Sequence, residues 1–334
     1  MPSAGRKLAI KNLWVDDSSL LFHTVNRNKE SFTADLKDPR DLELVKKLIA
    51  RADVLIHNFR PGVMQKRGLG YEVVKSINPR LVYAEISGYG KDGPWKNKPG
   101  QDLLLQSMTG LTYTTGNHHH DPVPFGLAIA DILSGAQLVQ GILAALIRRQ
   151  KKGVGALVEI SLMETLLDFQ FELLTTYYTS QEPPRRSNSN NGHPLLGAPY
   201  GIYKTADGFI ALAMMDIRAL AKAIGNEELI AFSNKQAFAG RDAIKNILAA
   251  HLVMQPTAYW LSRLQTDGLW AMEVFDWEKM MSHEAYKILG MEQTLKVGEQ
   301  QITTTRCPVR INGERLYADK PAPALGQHTE AVLK

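Results

Sequence analysis

From residue 31 the apolar positions settle into a repeating order. Short apolar runs with turn residues at their ends alternate with stretches in which the apolar side chains recur every three or four positions. The spacing predicts a strand over Ser31–Leu36 and a helix that opens at Asp38-Pro39 and carries Leu42, Val45, Leu48 and Ile49 on one face. A second strand is expected at Val54–His57, a short helix at Tyr71–Ile77 stopped by Asn78-Pro79, and a third strand at Leu81–Ser87. This alternation argues for an α/β fold with a parallel, doubly wound sheet. Residues 88–100, rich in Gly, Pro and Lys, read as loop. Helical character resumes at Leu103–Met108. A long helix rich in small residues follows at about Ile129–Arg149 and suits close contact with a neighbour or with a second copy. The strand Ala156–Ile160 then runs straight into a helix expected to last from Leu162 to Tyr178.

Beyond it the pattern changes. Residues 181–192 (QEPPRRSNSNNG) read as a linker. Tyr200–Ala213 reads as a hairpin turning at Asp207-Gly208. Helices near Ile217–Ile224, Arg241–Leu252 and Thr257–Asp267 complete a smaller α+β unit, and the tail after Leu289 returns to short strands and turns. Residues 1–30 carry no clear strand–helix signal.

Composition changes this picture little. With 334 residues and 44% apolar content the chain has material for two domains. No uninterrupted apolar run approaches the length of a membrane span, and the N-terminus has no signal-peptide core, so no membrane partner is expected. The lone Cys307 fits a reducing cytoplasm and offers no Cys-rich metal site. The net charge of +5 is spread among almost as many acids, which argues against a nucleic-acid partner and suits a small polyanion.

Four segments carry candidate chemistry. Gly88-Tyr89-Gly90-Lys91-Asp92-Gly93 matches G-x-G-x-x-G after a strand, but Pro94, Pro99 and Gly100 prevent the helix that would meet a pyrophosphate, so the segment reads as a ligand-facing loop and not a dinucleotide site. Asn58-Phe59-Arg60 ends another parallel strand; Arg60 and Lys66 are suited to phosphates, or are simply cations on a solvated turn. His118-His119-His120 has no metal-ligand spacing and reads as a surface loop. Ser161-Leu162-Met163-Glu164 is open to two readings. S-x-x-E before an apolar run is a capping box. The same position puts a carboxylate at the positive end of a helix, ionised and nucleophilic, next to backbone N–H groups able to stabilise an oxyanion.

Taken together the segments resemble the family III CoA-transferases, the group that contains formyl-CoA and carnitine-CoA transferases. The resemblance is carried by Asn26-Arg27-Asn28-Lys29, Asp35-Leu36-Lys37-Asp38-Pro39, Ala52–Gly62, Asn78–Tyr83, Ser87–Gly90 and Lys98–Asp102. It continues through Gly141–Leu146, Val158–Leu162, Ala198–Tyr203, Ala206-Asp207-Gly208 and Pro323–Thr329. It implies a Rossmann-like large domain (1–185 with 285–334), a linker (186–199), a small α+β domain (200–284) and an interlocked homodimer. It also implies coenzyme A as co-substrate, held by Ala34, Lys37, Asn58, Phe59, Arg60, Lys66 and Lys98, with Gly88, Tyr89, Gly90, Gln101 and Asp102 near the substrate and no metal. The family's nucleophile is an aspartate at the position of Glu164. The longer side chain is one departure, and the absence of the family's opening strand–helix–strand unit is a second, expected to leave a sheet edge uncovered.

The activity so implied is transfer of CoA from an acyl-CoA to a carboxylic acid, by way of a glutamyl anhydride and glutamyl-CoA. Two alternatives stay open. An acyl-CoA racemase of the same superfamily needs a His directly before an Asp, where this chain has Gln101-Asp102. A degenerate CoA-binding protein would keep the fold without turnover.

Overall fold

The computed structural model describes residues 4–333. The chain folds as two compact units, one made of the chain up to Lys47 together with Phe275 onward, the other of Leu48–Val274. Helix α1 (Pro39–Arg51) leads from the first to the second.

The second unit holds a parallel sheet of β1 (Val54–His57), β2 (Val82–Ser87) and β3 (Ala156–Ser161), in that order. All three fall within a residue of the expected strands. Helix α2 (Tyr71–Ile77) joins β1 to β2, and α3 (Asp102–Met108) and α4 (Ile129–Lys152) lie between β2 and β3. Alternation along β2 sends Val82, Ala84 and Ile86 to one face, where Leu138, Ile142 and Ala145 of α4 pack on them. A Cβ on Gly141 would lie 2.7 Å from Val158, so glycine there lets α4 close onto β3. On the opposite face Tyr83 meets the ring of Tyr71 from α2 and donates its hydroxyl to the Leu69 carbonyl at 3.0 Å. By length and composition α4 is apolar enough to cross a membrane, although scattered polar residues keep it from being one uninterrupted apolar run; here part of it packs on the sheet.

The helix expected over Leu162–Tyr178 is two helices, α5 (Leu162–Phe169) and α6 (Phe171–Ser180). They break at the buried Gln170, whose side-chain amide donates to the carbonyls of Leu166 (3.0 Å) and Thr109 (3.1 Å). Periodicity continues through the break, and the tertiary contact decides it.

Further on, β4 (Gly201–Lys204), β5 (Phe209–Leu212) and β6 (Ala271–Glu273) form an antiparallel sheet. Helices α7 (Ile217–Ile224), α8 (Arg241–Leu252) and α9 (Thr257–Thr266) cover it with a core that includes Tyr203, Ile210, Leu220, Ile244 and Trp260. The polar segment before this sheet is firmly held. The buried Lys245 donates to Ser187 Oγ (3.0 Å) and the Asn190 carbonyl (2.9 Å), and Arg241 donates to the carbonyls of Arg185 and Pro194.

In the first unit β7 (Glu292–Val297) and β8 (Gln300–Thr305) form a hairpin whose Leu295, Val297 and Ile302 pack on Val15. Ser31–Leu36 is not a strand. It runs against the tail without regular structure: Ser31 N–H donates to His328 Nδ1 (3.2 Å), Thr33 N–H donates to Thr329 Oγ1 (3.2 Å), and His328 N–H returns to the Ser31 carbonyl (2.9 Å). Its backbone groups are satisfied by a turn, so no ladder forms.

Candidate active site

Three parallel strands end side by side, in the register His57–Glu85–Glu159, with Ser87 opposite Ser161. From these carboxyl ends spring the loops that carry the candidate residues, the position at which open α/β sheets bind ligands.

At the end of β3 the chain turns directly into α5. Ser161 is its N-cap, its Oγ accepting the Glu164 N–H at 3.1 Å. The same hydroxyl donates to Glu164 Oε2 at 2.5 Å. This is half a capping box. The Glu164 carboxylate reaches the Ser161 side chain and not the Ser161 backbone N–H, and it stays exposed. One oxygen is held by a buried hydroxyl, and the residue as a whole is exposed. The helix end supplies a positive field, and two of its first N–H groups are already engaged, that of Glu164 by Ser161 Oγ and that of Met163 by the Gly88 carbonyl.

The Gly88–Gly93 segment is an irregular loop, as expected, with Gly90 at φ +85° and Gly93 at φ +82°. It is fastened over the start of α5, where Met163 N–H donates to the Gly88 carbonyl at 3.1 Å, and Lys91 reaches Glu159 at 2.7 Å. Gly88 and Gly100 touch through their backbones: a Cβ on Gly100 would lie 2.6 Å from Gly88 Cα. That contact brings the Lys98–Asp102 loop to the same place, and Tyr89 donates its hydroxyl to the Pro99 carbonyl at 3.3 Å. Asp102 holds the scaffold together, since its Oδ1 accepts the Ala130 N–H of α4 (2.8 Å) and its Oδ2 the Gln106 amide (2.7 Å). Gln101 is exposed at the N-cap of α3.

The cations and the aromatic residue sit outermost. Asn58, Phe59 and Arg60 follow β1 and are all exposed, as are Lys66, one turn further on, and Lys98, whose ammonium lies 5.6 Å from the Trp95 ring. Arg60, Lys66 and Lys98 have no ion-pair partner among the described residues. Ala34 and Lys37 belong to the other compact unit, where Lys37 is exposed and its N–H donates to Asp35 Oδ1. The His118–His120 loop is exposed; Arg186, buried beneath it, donates to the carbonyls of His118 and His120. Among the described residues no group of three His, Cys, Asp or Glu is placed to hold a metal ion.

Sequence reasoning missed a row of polar side chains on the sheet face that leads up to Ser161. His57 Nε2 lies 2.9 Å from the Tyr83 hydroxyl and 3.3 Å from Glu85, and Glu85 shares a hydrogen bond with Glu159. Burial pushes the Glu85 carboxyl above its ordinary range, and the neighbouring Glu159 charge adds to this. Burial also lowers His57, so this contact joins a neutral ring to a carboxyl group, and it raises Tyr83 to about 12. The signal was visible: the strands end in Ala84-Glu85-Ile86-Ser87 and Val158-Glu159-Ile160-Ser161, the same alternation with a glutamate two places before the last serine.

The parallel sheet and its helices place the chain in the mixed α/β class, with an exposed carboxylate at a strand-to-helix junction next to a glycine loop. The chain belongs to CoA-transferase family III, whose family model matches residues 3–329 and so takes in the opening segment that carries no clear pattern. It is 32% identical over 329 residues to the succinate–glutarate CoA-transferase of Agrobacterium fabrum, covering 95% of this chain and 80% of that one. It is 35% identical over 330 residues to the acetyl-CoA:oxalate CoA-transferase of Acetobacter aceti, covering 96% and 83%. The crystal structure of a CAIB/BAIF family protein from Brucella suis superimposes with a TM-score of 0.81 at 30% identity, over 98% of this chain and 88% of that one.

Proposed function

We propose that this CoA-transferase moves coenzyme A from an acyl-CoA to a free carboxylic acid with Glu164 as covalent nucleophile. A Glu164 oxygen bonds to the thioester carbonyl carbon, the C–S bond breaks, and CoA thiolate leaves a mixed anhydride. Thiolate attacks the glutamyl carbonyl, which frees the first acid and leaves glutamyl-CoA. The acceptor carboxylate then displaces thiolate to give a second anhydride, and thiolate attacks the acceptor's carbonyl to release the new acyl-CoA and regenerate Glu164. Each step exchanges one acyl bond for another, so the thioester energy is kept. The chain's part is to orient the carboxylate through Ser161 and to set the positive end of α5 against the charge of the tetrahedral oxyanions.

The observation that carries this reading is the exposed carboxylate held by a buried hydroxyl at the carboxyl end of the sheet. The exposed Arg60, Lys66 and Lys98 suit the phosphates of CoA, and Phe59 suits its adenine. Ala34, Lys37 and Asn58 join them in the same reading, with Gly88, Tyr89, Gly90, Gln101 and Asp102 near the acyl group. Racemisation is disfavoured because both oxygens of Asp102 are already taken by Ala130 and Gln106. Helices on both sheet faces support a Rossmann-like, doubly wound description. An exposed apolar stripe on α4, formed by Ile132, Val139, Leu143 and Ile147, supports an interlocked homodimer.

Hydroxylamine added during turnover is expected to convert Glu164 to a hydroxamate that peptide mass spectrometry detects. Glu164→Gln is expected to lose CoA exchange while still binding CoA. A Gln variant that keeps turnover, or no adduct during active exchange, would refute the covalent role.

A further inference from the structure

One turn beyond Glu164, the same helix borders a cleft of about 660 Å³. Asp168 follows Glu164 at i+4, and both are exposed. A hydrogen-bonded chain ties this rim to α4, with Thr165 Oγ1 donating to Gln137 Oε1 at 2.8 Å and Gln137 Nε2 donating to Asp168 Oδ2 at 2.9 Å. The walls are largely apolar, with Leu111, Phe125, Leu133, Phe169 and Phe171, and the last two are 44% and 61% exposed. Phenylalanine side chains left open in such a cleft suit a ligand better than water.

The charges of the cleft point one way. Its acids are Asp168 and Glu172, and among the described residues that line it there is no Lys or Arg. His193 has no free group to offer an anion, since its Nδ1 accepts the Leu195 N–H at 3.1 Å and its Nε2 faces Glu172 at 3.3 Å. The buried Arg186, which bonds the cleft residue Thr115, spends its guanidinium on the carbonyls of Thr115, His118 and His120. A substrate carrying a second carboxylate into this space would meet two like charges and no cation.

We infer that the acyl group transferred by this chain is an uncharged apolar chain or ring seated in the Leu111–Phe125–Leu133–Phe171 cleft, in contrast to the dicarboxylic acids in the names of several relatives. This rests on the reading of Glu164 as nucleophile. Both acids of the exchange form their anhydride on the same carboxylate, so the cleft selects donor and acceptor alike.

The test is CoA transfer to isotopically labelled acetate from acetyl-, butanoyl-, hexanoyl-, phenylacetyl-, succinyl- and glutaryl-CoA, with kcat/KM for each thioester read from the labelled acetyl-CoA formed. From acetyl to hexanoyl, kcat/KM is expected to rise about threefold to fourfold per methylene, the factor for burying one CH₂. Succinyl-CoA is expected to fall at least about tenfold below butanoyl-CoA, the same chain without the charge. Leu133→Trp, which fills the cleft, is expected to lower the hexanoyl-to-acetyl ratio, and Phe171→Ala at the exposed wall to lower it too. The double variant Asp168→Asn with Glu172→Gln is expected to raise the succinyl-to-butanoyl ratio. A flat chain-length profile, a preference for succinyl-CoA, or ratios unmoved in all these variants would overturn the inference even with a Glu164 adduct in hand. No exchange from any thioester and no adduct would instead overturn the nucleophile, and this inference with it.

Discussion

At Glu164, the proposed nucleophile, the side chain is one methylene longer than the aspartate that the resemblance implies there, and Ser161 holds one of its oxygens. Glu164→Asp would restore the family residue but draw the carboxylate back from both the hydroxyl and the substrate. Misplacement on the ångström scale costs on the order of a hundredfold in rate. The Asp variant is therefore expected to lose roughly that much kcat with little change in CoA affinity, as read from steady-state kinetics and CoA titration. An Asp variant as fast as the parent would show that the pocket does not match glutamate. Ser161→Ala tests the other half. It removes the cap on the Glu164 N–H, expected to cost about 1 kcal/mol in unfolding free energy. It also frees the carboxylate to swing, with kcat expected to drop on the order of tenfold or more. Loss of stability alone would assign the serine to the helix and not to the chemistry.

At the scale of the element, loops and strand ends act together. Gly100→Ala would place a methyl 2.6 Å from Gly88 Cα, a backbone that has no flexible end to give. The two loops must part, at a cost of about 1–3 kcal/mol for overpacking, and kcat/KM is expected to fall. Gly93→Ala, with open space around it but φ +82°, is expected to cost about 1 kcal/mol and to leave the loop where it is. Equal kinetic effects in a paired assay would refute the importance of the contact. The half-buried Glu85 predicts a pH dependence. Its folded carboxyl holds a proton to a higher pH than the unfolded chain does. The folded state thus binds more protons, and stability falls as pH climbs from the ordinary glutamate range through the raised folded value. Glu85→Gln is expected to flatten that fall in thermal midpoints across the window; an unchanged slope would assign it elsewhere. Much of this was legible in sequence. Val54–His57, Leu81–Ser87 and Ala156–Ile160 read as strands because buried parallel strands are continuous apolar runs between turn residues. Glu164 read as both cap and nucleophile, since local sequence cannot say whether a carboxylate bonds a backbone amide or a side-chain hydroxyl. Ser31–Leu36 misled because its partner is the Gly326–Thr329 turn almost three hundred residues away, and Gln170 because a side-chain contact, not periodicity, ends α5. The polar segment 181–192 looked like a linker because the buried cations that pin it come from α8.

For the whole molecule the exposed face of α4 matters most. Ile132, Val139, Leu143 and Ile147 are 58%, 54%, 54% and 58% exposed, and their spacing of seven, four and four keeps them on one side of the helix. The opposite side is committed to the sheet through Leu138, Ile142 and Ala145. A helix apolar on both sides needs a second cover, and a two-fold axis supplies it with the same surface. Each of these side chains is worth about 1.5–3 kcal/mol when buried, and in a symmetric pair each counts twice. Replacing Leu143 with Lys is therefore expected to remove about 3 kcal/mol or more from the proposed dimer, at least about a hundredfold in its dissociation constant. The parent is expected to sediment at twice the chain mass and Leu143→Lys to shift toward monomer at micromolar concentration, with Gln140→Lys one turn away on the same exposed side as the charge control. If both variants stay dimeric, α4 does not form the interface. If both dissociate alike, added charge and not the lost apolar contact is responsible. Dissociation confined to Leu143→Lys would make the helix that braces the nucleophile's strand the seam of the dimer as well, so that assembly and the placement of Glu164 would depend on one element.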